Sequence, residues 1–95
     1  MGLLDLLGFG NKTNDVQEYV AKGAIILDVR SIEEFKNGHI KGSKNGKIAE
    51  IKKWNKPVIA CCQSGMRSGQ ATSILKKNGI DCVNGGGWSS LQNKL

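Results

Sequence analysis

The spacing of apolar residues along the chain predicts short helices that alternate with short strands. Val16, Tyr19 and Val20 follow the i, i+3, i+4 spacing of one helical face, and Gly23 stands where such a helix of about ten residues would end. Residues 24–29 form a run that is apolar except for one aspartate. A run of this kind is typical of a strand that is covered on both faces, as strands of a parallel sheet are.

The same alternation continues to the end of the chain. Ser31 and Glu34 have the spacing of a capping box, which predicts the start of a short helix, and Gly38 predicts its end. Strands that alternate with helices predict an α/β fold with a parallel sheet of about four or five short strands and helices on both faces. The remaining helices are predicted at 48–53, 67–77 and 88–95, and the remaining strands at 57–62 and 80–83.

The composition fits one globular domain with a basic surface. The chain has 95 residues, which is enough for one core, and a formal net charge of +6. This charge predicts either a solvated basic surface or the attraction of an anion. Nucleic acid is not a predicted partner, because the few aromatic residues do not interleave with a basic stripe. No run of about 18 apolar residues is present, so no membrane span is predicted.

Residues 1–12 form a leucine-rich segment that we treat as separate from the domain predicted for residues 13–95. Leu3, Leu6 and Leu7 share a helical face, but Asp5 interrupts the apolar run and no basic flank precedes it. A signal peptide is therefore not predicted. We expect the segment to dock onto the domain, and the alternative is a helix that touches a membrane or a partner.

The three cysteines indicate a reducing compartment, which we take to be the cytoplasm. Cys61 and Cys62 are adjacent, so a disulfide between them would be strained, and His39 is the only histidine. Because no zinc-binding spacing is present, we predict no metal and at least one free thiol. Cys82 is expected to be a small buried residue, or alternatively a resolving thiol for Cys62.

The residues with reactive side chains are concentrated where the strand over 57–62 meets the following helix. A thiol at the end of a buried strand faces the free amides and the positive dipole of the helix N-terminus. This placement can lower a cysteine pKa from about 8.5 to roughly 3.5–7.5. Arg67 lies at the rim, where its guanidinium can bind an oxyanion. The predicted anion-binding loop consists of Gln63, Ser64, Gly65 and Met66.

Spacing alone leaves two candidates for the nucleophile. Cys61 lies six residues before Arg67, which is the spacing of a tyrosine-phosphatase loop, whereas Cys62 lies five residues before it. Phosphatase loops usually have a histidine before the cysteine and a glycine before the arginine, where this chain has Ala60 and Met66. We therefore favour Cys62 as the nucleophile and interpret Cys61 as a buried strand residue.

Four stretches of the chain together resemble the rhodanese-type sulfurtransferases. Residues 62–68 resemble the active loop of that family, which is written C-x-x-G-x-R-S. Residues 27–35, 38–43 and 85–88 resemble, in the same order, its first signature, its G-H-I-x-G-[AS] stretch and its closing glycine pair. The resemblance covers about residues 13–92, and therefore nearly the whole chain.

This resemblance implies a reaction and a set of roles. Cys62 would accept a sulfane sulfur, become a persulfide, and pass the sulfur to a thiol, a sulfur-accepting protein or cyanide. No cofactor is implied beyond this covalent intermediate. A small anionic donor such as thiosulfate would be drawn to Arg67 and nearby lysines. Asp28 and Arg30 are expected to brace the loops, and Ser68 to support the start of the helix.

Two other functions stay open on the sequence. The first is a sulfur-relay or regulatory binding module with little turnover, which the small size and basic surface would suit. The second is a phosphatase or arsenate reductase, because these enzymes use a loop of the same general type.

Overall fold

The computed structural model describes residues 12–46 and 48–95. Within these ranges each strand is followed by at least one helix, as the sequence predicts, and two helices lie between the first and second strands. The predicted leucine-rich segment lies outside the described residues, except for Lys12, with which the first helix begins. In chain order the elements are α1 (Lys12–Ala21), β1 (Ile25–Asp28), α2 (Ile32–Lys36), α3 (Ile48–Trp54), β2 (Val58–Cys62), α4 (Met66–Lys77), β3 (Cys82–Gly87) and α5 (Trp88–Lys94).

The strands form one parallel sheet in the order β1-β2-β3. Asp28 at the end of β1 is paired with Cys61, and Cys62 at the end of β2 is paired with Gly87. The predicted α/β class is confirmed, although the described part of the chain contains three strands and not about four or five. Lys44 makes only an isolated bridge with Leu27, because the polar, glycine-containing stretch around it lacks the residues that favour a strand.

The central strand, β2, divides the core between the two faces of the sheet. All five of its residues are buried, and alternate side chains point to opposite faces. Residues 58 and 60 join the apolar cluster that α3 and α4 cover, while residues 59 and 61 join the cluster that α1 and α5 cover. The helices therefore lie on both faces, as predicted, and β2 is buried along its whole length.

The third strand differs from the prediction of a strand over residues 80–83. β3 begins at Cys82 and continues through the glycines to Gly87. Glycines lack the side-chain pattern from which a strand is predicted, but close packing requires one at position 85. A Cβ atom there would lie 2.8 Å from Cγ2 of Ile59 and 3.0 Å from Cδ2 of Leu91. The glycine run thus allows α5 to approach the sheet closely.

The predicted capping box at the start of α2 is confirmed. The amide of Glu34 donates to Oγ of Ser31 at 3.2 Å, and the amide of Ser31 donates to Oε1 of Glu34 at 3.0 Å. The helix ends at Lys36, with Asn37 as its C-cap and Gly38 directly after it. None of the helices in the described ranges is long and apolar enough to cross a membrane.

Candidate active site

The two adjacent cysteines have opposite surroundings. Cys61 points into the cluster that α1 and α5 cover and is fully buried. Burial, followed by the nearby charge of Asp28, raises the pKa of the Cys61 thiol to about 12. Cys61 is therefore a neutral core residue at any pH at which the protein would work, and it is a poor nucleophile.

Cys62, in contrast, directs its sulfur toward hydrogen-bond donors at the start of α4. The amide of Gly65 donates to Sγ at 2.9 Å, the amide of Ser68 donates at 3.3 Å, and Oγ of Ser68 lies 3.4 Å away. Burial alone raises the pKa of the Cys62 thiol. The hydroxyl of Ser68 and the amides of Ser68, Gly65 and Ser64 outweigh burial and lower the pKa from 9.0 to about 7.

The turn of the loop depends on Gly65. Gly65 is the N-cap residue of α4 and has a φ of 99°, a backbone conformation that residues other than glycine rarely adopt. A Cβ atom on Gly65 would also lie 3.3 Å from Cα of Gly86 in the neighbouring strand. Of the other predicted loop residues, Ser64 contributes its amide, whereas the side chains of Gln63 and Met66 are exposed.

Asn84 is a part of the site that the sequence analysis does not predict. Its Oδ1 accepts hydrogen bonds from Oγ of Ser68 at 2.7 Å and from the amide of Gly86 at 2.9 Å. Its Nδ2 donates to the carbonyl oxygen of Gly65 at 3.3 Å. Asn84 therefore holds Gly65 and Ser68, two of the residues that donate to Cys62. The only signal for it in the sequence is a polar residue between an apolar stretch and the glycine run.

Arg67 has a partner that the sequence analysis assigns to a different role. Nη1 of Arg67 donates to Oε1 of Glu34 at 2.9 Å, and Nη2 donates to Oε2 at 3.1 Å. Glu34 is predicted as the capping residue of α2. In the structure it both completes the capping box and pairs with Arg67. The hydrogen bond from Arg67, followed by the one from the Ser31 amide, lowers the pKa of Glu34 to about 2. The predicted anion-binding group is therefore already engaged by a carboxylate.

Residues 12–94 match the family described as the rhodanese-like domain. The chain belongs to this family. Relatives of this rhodanese-like domain include the uncharacterized protein YqhL of Bacillus subtilis, which is 38% identical over 76 residues, 72% of this chain. The putative sulfur carrier protein YrkF of the same organism is 38% identical over 64 residues, 61% of this chain. The thiosulfate sulfurtransferase GlpE of Pseudoalteromonas translucida is 35% identical over 65 residues, 62% of this chain.

The match spans only part of these relatives, namely 60% of YqhL, 35% of YrkF and 62% of GlpE. A solved structure of a rhodanese-related protein from Thermoplasma volcanium is similar over 86% of this chain and 87% of that protein. Its TM-score is 0.63 and its sequence identity is 28%. The rhodanese-like fold therefore extends over most of the described chain.

The predicted supporting pair of this rhodanese-like domain lies beneath the site. Nη2 of Arg30 donates to Oδ2 of Asp28 at 2.7 Å and to the carbonyl oxygen of Gly38 at 2.6 Å. The guanidinium also lies 4.7 Å from the centre of the Trp88 ring. Because Asp28 is 1% and Arg30 6% exposed, this pair is part of the interior. It connects the end of β1 to the turn before residue 39 and to α5.

The other residues with reactive side chains lie apart from Cys62. Cys82 is paired with Val58, four residues before Cys62 along β2, which corresponds to about 13 Å. The Cα atoms of Cys82 and Cys62 are therefore too far apart for a disulfide, so the alternative of Cys82 as a resolving thiol is not supported. His39 stacks on Phe35, and its Nδ1 lies 2.7 Å from the carbonyl oxygen of that residue, as suits a turn-fixing side chain. Within the described ranges no group of His, Cys, Asp and Glu could hold a metal ion.

Proposed function

We propose that this rhodanese-like domain is a sulfurtransferase that carries a sulfane sulfur as a persulfide on Cys62. The observation that supports it most directly is the set of donors around Sγ, above all the amides of Gly65 and Ser68 at 2.9 and 3.3 Å. A thiol with a pKa of about 7 is about half ionised at pH 7, and the thiolate is the nucleophile in sulfur exchange. Relatives named as a sulfur carrier and a thiosulfate sulfurtransferase support the same chemistry.

The reaction has two displacement steps. In the first, the Cys62 thiolate attacks the sulfane sulfur of the donor, a new S–S bond forms, and the S–S bond of the donor breaks. Sulfite leaves when the donor is thiosulfate, and a thiolate leaves when it is a thiol persulfide. In the second step a thiol, a protein cysteine or cyanide attacks the outer sulfur, and Cys62 leaves as the thiolate. A low pKa helps both steps, because it supplies the nucleophile first and the leaving group later.

Loading also requires a donor to reach Cys62. Cys62 is 0% exposed, so we propose that a donor reaches Sγ through a local displacement of the residues around it. Small donors would need a smaller displacement than protein donors. The three free cysteines suit a reducing compartment, and we propose that the protein works in the cytoplasm without a cofactor or metal.

Mass measurement of the intact protein tests this proposal. After incubation with thiosulfate or with a thiol persulfide, the wild type is expected to gain one sulfur atom, which an acceptor thiol then removes. Cys62→Ser should gain none, and Cys61→Ser should still gain one. A wild-type protein that never gains sulfur, or a Cys62→Ser variant that still gains and transfers it, would contradict the proposal.

A sulfur-relay module with little turnover is the second candidate, and two observations favour it. Cys62 has no exposed surface, and Arg67 is paired with Glu34 and not free to attract a small donor. A relay module would form the persulfide yet release its sulfur slowly to cyanide and rapidly to a specific protein. Rapid turnover with thiosulfate and cyanide alone would exclude this candidate.

The geometry gives little support to a phosphatase or arsenate reductase. The spacing of a phosphatase loop requires Cys61 as the nucleophile, but Cys61 lies in the core with a pKa of about 12. Phosphatase assays of Cys61→Ser and Cys62→Ser would decide the matter. Activity that Cys61→Ser abolishes and Cys62→Ser retains would overturn the assignment of Cys62.

A further inference from the structure

We propose that Glu34 is a specificity-determining residue that weakens the use of small dianionic sulfur donors at Cys62. This inference rests on the proposed sulfurtransferase function and deepens it. In this view the site takes sulfur from a thiol persulfide with at most one negative charge, and Glu34 weakens the use of thiosulfate, which has two.

The ion pair between Glu34 and Arg67 occupies the group that would bind a dianion. Glu34 contacts Arg67 through both carboxylate oxygens, at 2.9 and 3.1 Å. This bidentate contact occupies Nη1 and Nη2, which form the edge of the guanidinium that would bind two oxygens of a sulfonate or sulfate group. A dianion must therefore displace Glu34 or bind beside a negative charge.

Glu34 is also held in this position from its own helix. The amide of Ser31 donates to Oε1 of Glu34 at 3.0 Å, and Oγ of Ser31 lies 3.2 Å from the same oxygen. The capping box thus fixes the carboxylate in the first turn of α2, while Arg67 is fixed in the first turn of α4. Pre-positioning of both partners reduces the entropy lost when they pair.

The expected effect is moderate because water reaches the pair. The side chain of Arg67 is 48% exposed and that of Glu34 is 37% exposed, so solvent and salt screen their charges. Removal of one negative charge next to a bound dianion should strengthen its binding about three- to tenfold at low salt. A donor with one negative charge or none should gain less.

The sequence contains a matched control for this test. Glu34→Gln removes the charge but keeps an N3 residue that can complete the capping box. Glu33→Gln removes the same charge from the preceding, exposed position in the first turn of α2. A general effect of net charge would strengthen thiosulfate binding equally in both variants. Control by Glu34 would strengthen it only in Glu34→Gln.

Two measurements then test the inference. In proteins that also carry Cys62→Ser, thiosulfate cannot react, and its binding is measured by calorimetry. We expect Glu34→Gln to strengthen binding about three- to tenfold and Glu33→Gln to change it less than about twofold. In proteins with Cys62 intact, the ratio of kcat/KM for thiosulfate to kcat/KM for a thiol persulfide should rise by a similar factor in Glu34→Gln only.

The outcomes separate this inference from the proposed function. Unchanged thiosulfate binding in Glu34→Gln, or an equal gain in Glu33→Gln, would overturn the role of Glu34 even if Cys62 forms a persulfide. Stronger thiosulfate binding in Glu34→Gln would support control of anion binding by Glu34. If neither donor then formed a persulfide on Cys62 in the protein with Cys62 intact, the proposed sulfurtransferase function would be contradicted.

Discussion

Cys61 and Cys62 are neighbours in sequence, but the position of each side chain gives them different acidities. The pleat of β2 directs the first sulfur into the apolar cluster beneath α1 and α5 and the second toward the amides of Gly65 and Ser68. The preference for Cys62 as the nucleophile follows from the loop motif, because Ala60 and Met66 do not fit a phosphatase loop that begins at Cys61. Asn84 is not predictable in this way, since its role depends on contacts of β3 with the loop and with the start of α4.

At the residue scale we predict that Ser68→Ala raises the pKa of Cys62 from about 7 toward 9. The variant removes the hydroxyl that lies 3.4 Å from Sγ and its 2.7 Å hydrogen bond to Oδ1 of Asn84, which holds the amide of residue 68 toward the sulfur. The rate of alkylation by iodoacetamide, measured against pH, reports the ionisation of the thiol. Ser73→Ala, on the exposed side of α4, serves as the control. Equal pH profiles for Ser68→Ala and the wild type would show that the hydroxyl does not stabilise the thiolate.

At the element scale, the site forms where β2, α4 and the glycine end of β3 meet. The apolar run and the loop motif predict β2 and the start of α4 well, because burial and capping leave clear patterns. They do not predict β3 correctly, because its glycines are required by neighbours that are distant in sequence. A Cβ atom on Gly87 would lie 2.9 Å from the carbonyl oxygen of Gln63, so β3 directly limits the position of the loop.

We predict that Gly87→Ala displaces the loop and impairs the site. The added methyl group would force Gln63 to shift, which weakens the hydrogen bonds to Cys62 and costs about 1–3 kcal/mol of stability. The pKa of Cys62 should therefore rise, and the denaturation midpoint should fall. Gly46→Ala is a suitable control, because a Cβ atom there has its nearest contacts at 3.8 Å. If Gly87→Ala changed neither quantity, the loop would not depend on close contact with β3.

At the scale of the whole molecule, the buried pair of Asp28 and Arg30 connects parts of the chain that are distant in sequence. Arg30 reaches the carbonyl oxygen of Gly38 and the ring of Trp88, and the side-chain amide of Asn45 donates to the carbonyl oxygens of both Asp28 and Arg30. The supporting role of the pair is predictable from the sequence. Its partners are not predictable, because they come from a turn, a loop and the last helix.

We predict that Asp28→Ala lowers the free energy of unfolding by about 3–5 kcal/mol, because it leaves the buried guanidinium of Arg30 without its carboxylate. That is a large part of the stability expected for one small domain, which is about 5–15 kcal/mol. Urea denaturation measures the change. Glu18→Gln, which removes an exposed pair with Lys22 at 3.9 Å, should have little effect. A similar loss in both variants would show that burial of the Asp28 pair is not the cause.

The pH dependence of Cys62 ionisation is the measurement that tests the account most directly. In a protein that carries Cys61→Ala and Cys82→Ala, alkylation reports Cys62 alone. Because the thiolate is the reactive form, its rate should rise with pH and reach half of its plateau near pH 7. A midpoint at or above 9 would show that the amides at the start of α4 do not keep this sulfur negative, and would contradict the proposal that Cys62 carries the transferred sulfur.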